Sequence, residues 1–535
     1  MIGMKGKVLP YVAALITAAL IASLSVALPA GIRVVREIAN VWIGPIYIRA
    51  DGSVYPPDAP IKTHDNVTYT LTGDIMSYAD GIVVERDNII LDGAGHTIQR
   101  KSNVTASLLD SSSIHLRKFT IYKGINLQGR SNVTVKNIVI IGFDFGIYFD
   151  HSSNNLIIRN NITNTWIGIR LGDSSNYNII SKNSIVNNCY GIGLWDYSSH
   201  NRISGNNIIN NSDGISLNSY SSNNVISGNN IVSNRYGILL SHSFNNTITG
   251  NVFVNDGLVV WPPSYENVVE DNTVNGKPLV YLEGVSGQVI GNAGQVILVK
   301  CKDITIEGLN LSNTDVGIQL LKTSDTRVIN NSIASDDFGI RLWHSSNNII
   351  SKNRVVNNII GIRLDYSSSN IISENNITGN MINGIELAYF SNNNTISGNN
   401  IANNGYGIRL TYSLKNVIFH NNFVDNSQQV CIDTPTSINV WDDGYPSGGN
   451  YWSDYTGVDS YNGPYQNETG SDGIGDTPYV IDENNIDRYP LMNPWTQGSE
   501  GSAPPSWIET RLRYFAVSVI ALTMLTVTTI RRKRQ

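Results

Sequence analysis

"GIRLWHSSNNIISKNRVVNN" (339–358) can be read as a site or as a repeat. Arg341, Trp343 and His344 are side-chain types that bind sugars, anions or metals. The rest of the chain settles which reading governs the fold. Aligned on Gly-Ile, "FGIYFDHSSNNLIIRNNITN" at Gly146, "IGIRLGDSSNYNIISKNSIVNN" at Gly168 and "YGIGLWDYSSHNRISGNNIINN" at Gly191 follow one another, then units at Gly214 and Gly237. A second block repeats the pattern at Gly317, Gly339, Gly361, Gly384 and Gly407, in steps of 22 or 23 residues. Self-similarity at such a period marks a solenoid.

Each unit reads G-I-x-L, a polar turn "SSNN", then x-I-S-x-N-x-I-x-x-N. Short β-branched segments alternate apolar and polar residues, and Asn, Gly or Ser closes each one, which is the signature of strands. One unit is thus one coil of an all-β solenoid, with Ile and Leu inside and equivalent strands stacked about 4.8 Å apart. Asn tolerates the left-handed turn and can bond its own copy one coil away, which predicts ladders such as Asn154, Asn223, Asn245, Asn347 and Asn370.

Working outward, irregular coils are expected over 50–145, the first regular block over 146–274, about two irregular coils over 275–316 and the second block over 317–426. Together they predict one elongated body of roughly fifteen coils, on the order of 70 Å long. Aromatic and acidic residues rise over 427–495, where a cap must close the open end of the stack. A linker (496–510) leads to the apolar run 511–530 and the basic tail 531–535, a C-terminal transmembrane helix with its tail in the cytoplasm. Residues 1–30 carry Lys5 and Lys7, an apolar run and small residues, the parts of a signal peptide or signal anchor.

Of the 37 basic residues, Lys5, Lys7, Arg531, Arg532, Lys533 and Arg534 flank the apolar runs at 8–28 and 514–530, where none of the 43 acidic ones falls, and setting these six aside leaves the rest at −12. Nucleic acid is therefore excluded as a partner. Cys189, Cys301 and Cys431 are too few and too scattered for a disulfide framework.

The coils, with "GIVVERDNIILDGAGHTI" (81–98), "NGKPLVYLEGV" (275–285) and "GGNYWSDYTG" (448–457) before "DGIGDTPYVIDENNIDRYPLM" (472–492), resemble the NosD-type family of CASH repeats in the pectin-lyase-like superfold. The resemblance is closest to the surface-anchored archaeal type. It implies a right-handed parallel β-helix, and an accessory role in copper maturation of nitrous-oxide reductase. The superfold hosts lyases, hydrolases, binding proteins and adhesins, so site chemistry must decide function. For copper, clustered Cys, Met or His would be needed. The sequence shows no such cluster.

Four candidate sites follow. Asp213 and Asp337 resemble parts of a polygalacturonase pattern, but 124 residues and about five coils separate them, on the order of 25 Å along a straight stack. Arg341, Arg363 and Arg409 share the outward x of G-I-x-L, with Glu386 between the last two; with Trp343 and Asp365 they form a face for an anionic sugar chain. Tyr366, Tyr389 and Tyr412 repeat five residues past each Gly and predict an exposed aromatic stack for sugar rings. Asp472, Asp476, Asp482 and Asp487 supply hard oxygen donors for a structural Ca²⁺.

The expectation is an extracytoplasmic, membrane-anchored β-helix that binds carbohydrate or serves as a surface interaction module. A polysaccharide lyase or glycoside hydrolase, and a NosD-like accessory protein beside a membrane transporter, are the alternatives.

Overall fold

The computed structural model describes residues 41–101, 121–434 and 437–496. Among them every regular element is a strand, and no helix is long and apolar enough to cross a membrane. The helices expected over 1–30 and 511–530 lie outside the described residues.

One coil shows how the repeat folds. Strands Phe145–Asp150, Leu156–Ile158 and Asn161–Thr163 form three sides, here named the Gly-Ile, Ile-Ser and Asn-Ile sheets. The next coil lies on it in parallel, with Ile147 beside Ile169, Ile157 beside Ile180 and Ile162 beside Ile185. These inward residues are fully buried. The glycine of Gly-Ile is dictated by crowding, since a Cβ on Gly146 or Gly168 would strike the carbonyl oxygen of the same glycine one coil on. The stack is a parallel β-solenoid of about 16 turns.

Asparagine has two separate roles. Asn154, Asn223, Asn245 and Asn347 adopt φ between 54° and 60° and turn the chain. The buried ladder is made by the next residue in each coil. Asn155, Asn178, Asn201, Asn224 and Asn246 each donate through Nδ2 to Oδ1 of the next, at 2.9 to 3.2 Å, and the run ends on Asn267. Of the positions expected to stack, Asn370 belongs to such a ladder, donating to Asn394 Oδ1 at 3.1 Å.

These ladders have a direction, because every amide donates toward the C-terminus. A final member need only accept, and twice that member is an aspartate. Asn234 donates to Asp256 Oδ2 from its backbone N at 2.8 Å and its Nδ2 at 2.6 Å. In the second block the run through Asn399, Asn421 and Asn450 ends on Asp487, whose Oδ2 accepts from Asn450 N at 2.7 Å and Trp452 Nε1 at 2.9 Å. Burial pushes both carboxyls up to about 7.

The expected single straight stack is instead two stacks meeting at a seam. Thr273–Val274 pairs antiparallel with Lys277–Glu283 across Asn275 and Gly276, whose φ values of 50° and 78° suit a tight hairpin turn. A new stack starts there, and its Gly-Ile sheet covers the open end of the first. Outward-pointing Ile297, Val299 and Leu321 are fully buried in the core of the first stack. The last strand of that stack, Leu258–Trp261, runs across successive coils of the second. Gln295 Oε1 accepts from Leu258 N at 3.0 Å, Gln319 Nε2 donates to Val260 O at 2.8 Å, and the Arg341 guanidinium lies 4.3 Å from the centre of the Trp261 ring. Side-chain amides thus occupy backbone groups that another coil would otherwise pair.

The seam also corrects the separation expected for Asp213 and Asp337. Both carboxylates act on the Arg235 charge, and Asp337 Oδ2 lies 3.2 Å from Arg235 Nε. The second stack rests on the end of the first, so distance along the repeat does not measure distance in space. At its far end the second stack is closed by an aromatic column, in which Trp452 stacks on Phe423 at 4.4 Å and on Tyr479 at 4.2 Å.

Candidate functional site

The row of arginines in the second stack aligns as the repeats imply, with Arg341 beside Arg363, Trp343 beside Asp365 and Glu386 beside Arg409. It is not an open anion-binding face. Arg341 and Asp365, expected outward, are buried where the seam closes over them, 3.2 Å apart. Arg363 is held by Asp365 at 2.9 Å and Glu386 at 3.3 Å, and Arg409 by Asp433 at 2.8 Å. Each cation already has its anion.

The aromatic stack forms with different members. His344 stacks on Tyr366 at 4.7 Å and Tyr366 on Tyr389 at 5.3 Å, while Tyr412 leans on Phe390 at 6.3 Å. All four positions taken by His344, Tyr366, Tyr389 and Tyr412 have φ between 47° and 51°, so the row is a line of left-handed turn residues whose rings reach solvent.

The four aspartates of the cap do not converge. Asp472 Oδ2 accepts from Gln466 Nε2, Asp476 takes the N–H groups of Ser460 and Tyr461, Asp482 takes those of Asn484 and Asn485, and Asp487 ends a ladder.

A richer constellation lies on the outward Gly-Ile face of the first stack, on strands Lys123–Asn126, Phe145–Asp150, Ile167–Gly172 and Tyr190–Leu194. Lys123 Nζ and the Arg170 guanidinium lie 4.7 and 5.1 Å from the centre of the Tyr148 ring. The Tyr148 hydroxyl donates to Asp150 Oδ2 at 3.3 Å. Gln128 Nε2 donates to the same oxygen at 3.1 Å, and His151 Nδ1 lies 3.0 Å from Asp150 Oδ1. One coil on, Asp173 shares a hydrogen bond with Asp150, which holds the Asp173 carboxyl above the usual range. Burial raises the Tyr148 hydroxyl as well.

Two glycines shape this face. Neither Gly172 nor Gly193 has a positive φ, so the backbone does not require them. A Cβ on Gly172 would collide with the Arg170 guanidinium, and one on Gly193 with the Trp195 indole. Their absence of side chains lets both groups lie flat across the sheet. Trp195 is half-buried, edge-on to Tyr190 at 5.9 Å.

The family model described as periplasmic copper-binding protein (NosD) matches residues 76–260 and 264–457. The chain belongs to the NosD family. Among curated proteins none matches it. Similar solved structures include the A-module of a mannuronan C-5 epimerase of Azotobacter vinelandii, 15% identical, covering 75% of this chain and 89% of that one with a TM-score of 0.21. Another is a hyperthermoactive exopolygalacturonase from Thermotoga maritima, 11% identical, covering 61% of this chain and 80% of that one with a TM-score of 0.30. Scores this low carry no argument about function. The NosD description implies copper, but among the described residues no three His, Cys, Asp or Glu side chains come together to hold a metal ion. Cys189, Cys301 and Cys431 are all free and lie in separate coils, with Cys301 buried. The donor set of the described residues does not fit copper.

Proposed function

We propose that this NosD-family protein is an exported, membrane-tethered β-helix that binds a polysaccharide along the outward Gly-Ile face of its first stack. The observation that carries the reading is the indole of Trp195 lying flat over Gly193, beside Tyr148, Arg170 and the Asp150–Asp173 pair. An aromatic face supplies stacking for a sugar ring, while carboxyl and guanidinium groups at its edge bond hydroxyls. Coils repeat about 4.8 Å apart, so the face extends in steps comparable to a pyranose ring, which suits a chain better than a monosaccharide. The exposed His344–Tyr366–Tyr389 stack offers a second aromatic surface on the other stack. The apolar run and basic tail at 511–535 and the leader at 1–30 support export and tethering.

The test is retention of the full-length protein, in detergent, on immobilised polysaccharides. Trp195→Ala is expected to weaken retention about tenfold, as loss of one stacking ring would. If Trp195→Ala and Tyr148→Ala both bind like the parent, this face is not the binding site.

A further inference from the structure

The inference rests on the reading of the chain as exported and adds a covalent modification to it. The triplet N-x-Ser/Thr is the acceptor for sugar transfer to asparagine in exported proteins. Among the described residues ten such triplets occur, and the asparagine of every one is exposed. None of the buried asparagines among them begins one. The coil explains that division. Two places on from a ladder asparagine such as Asn155 stands an inward residue, Ile157, whereas Asn161 and Asn376 open strands of the Asn-Ile sheet and are followed at the same distance by outward Thr163 and Thr378.

Repetition accounts for the exposure but not for the spacing. Asn376 and Asn400 are register neighbours in one outward column, as are Asn207 and Asn230, yet of these four only Asn376 is followed by a hydroxyl residue. No coil between Gly124 and Gly407 carries two triplets. Where successive coils each carry one, the two stand at different places on the perimeter. Asn132 turns the chain into the Ile-Ser sheet while Asn161 lies on the Asn-Ile sheet, and Asn376 on the Asn-Ile sheet is followed by Asn393 at the corner before the Ile-Ser sheet. An oligosaccharide is wider than one coil step of about 4.8 Å, so this spread leaves room for each. The strands of the Gly-Ile sheet carry no triplet in either stack.

The acceptor amide is free to react. Asn376 Oδ1 accepts from Thr378 Oγ1 at 3.2 Å and from Asn400 Nδ2 at 3.1 Å, while its own Nδ2 has no partner among the described residues. The Asn161 side chain makes no hydrogen bond among them. We propose that Asn161 and Asn376 are N-glycosylated, as part of a sugar coat that leaves the strands of the Gly-Ile face bare. The donor is an oligosaccharide carried on a polyprenyl phosphate. The amide Nδ2 bonds to its anomeric carbon as the carbon–oxygen bond to phosphate breaks; the phosphate leaves with that electron pair, and the amide gives up one proton.

The test takes the full-length protein from the cells that make it. Intact cells are first treated with a membrane-impermeant amine-reactive label, and proteolytic peptides are then read by mass spectrometry for label on lysine and for hexose-containing additions on asparagine. The expected result is labelled lysine together with sugar on Asn161 and Asn376, and none on Asn207, Asn230 or Asn400. Thr378→Ala keeps Asn376 and removes the hydroxyl, so it should abolish sugar on Asn376 while Asn161 stays modified and the melting temperature stays near the parent value. Labelled protein whose Asn161 and Asn376 are both unmodified would overturn the modification and leave export standing. Protein with neither label nor sugar would overturn both. Sugar that persists on Asn376 in Thr378→Ala would refute the triplet as its determinant, and sugar on a Gly-Ile strand, at Asn126 or Asn383, would overturn the bare face.

Discussion

Asn206→Ala offers the sharpest test of what holds the coils together. Asn206 is 1% exposed and makes four side-chain hydrogen bonds. Its Oδ1 accepts from Asn183 N at 3.0 Å and Asn183 Nδ2 at 2.9 Å; its Nδ2 donates to Ile180 O at 2.9 Å and Asn229 Oδ1 at 3.0 Å. Truncation does not orphan every partner. Asn183 Nδ2 keeps Ile157 O and Ser181 O, and Asn229 Oδ1 keeps the backbone N–H of Asn206. The Asn183 N–H loses its acceptor and Ile180 O loses a donor, both in a dry interior. At about 1–3 kcal/mol for each such group, the expected loss is about 2–6 kcal/mol. Asn207→Ala on the same coil is the control. Its Oδ1 accepts only from the exposed Asn230 Nδ2, at 2.7 Å, and its removal should cost less than about 1 kcal/mol. Urea unfolding followed by far-ultraviolet circular dichroism measures both. Equal, small shifts in the two variants would refute the claim that buried amide ladders carry the stack.

Other consequences are as direct. Burial pushes Asp256 and Asp487 up to about 7 in the folded protein from the ordinary carboxylate value of 3.8, so the folded state binds more protons between those values. Stability should therefore fall as pH rises through that window, each carboxyl contributing up to about 4 kcal/mol; a melting temperature that climbs steadily from pH 5 to 8 would contradict this. Leu321→Ala removes an outward side chain of the second stack from the core of the first, with an expected cost of about 2–5 kcal/mol and a change in the scattering profile as the seam loosens. An unchanged profile and midpoint would show that the seam is not a packed interface. Because Asp472, Asp476, Asp482 and Asp487 each have their own N–H or amide donors, chelation of divalent cations should leave the melting temperature where it was; a clear drop would show that the cap holds a cation.

The coil was legible in the sequence because its period, its inward Ile and Leu and its turn residues all agree. The asparagine assignment held at Asn370 and was displaced by one residue at Asn154, Asn223, Asn245 and Asn347. In "SSNN" the first Asn of the pair turns the chain and the second stacks, and composition does not separate two neighbouring amides. The seam left a trace that periodicity alone misses. "QVILV" (295–299) has apolar residues at alternate positions that should face water, the mark of a strand buried on both sides. On the first-stack face the trace was Gly172 and Gly193 in mid-strand, where glycine signals a close approach over the backbone. The Asp150–Asp173 contact was invisible to alignment in phase. Asp150 pairs in register with Gly172, and its partner is the residue after.

The seam reaches the last two coils of the first stack, through Arg235 and Gly237 as well as Leu258–Trp261, and the hairpin at Asn275–Gly276 is tied to the coil just before it by Asn255 and Phe253. Duplication or loss of a whole 22- or 23-residue unit between Gly146 and Gly191 would therefore lengthen or shorten that arm while leaving those contacts, the second arm and the cap in place. In a lineage built on this plan, reach can evolve independently of how the molecule is closed.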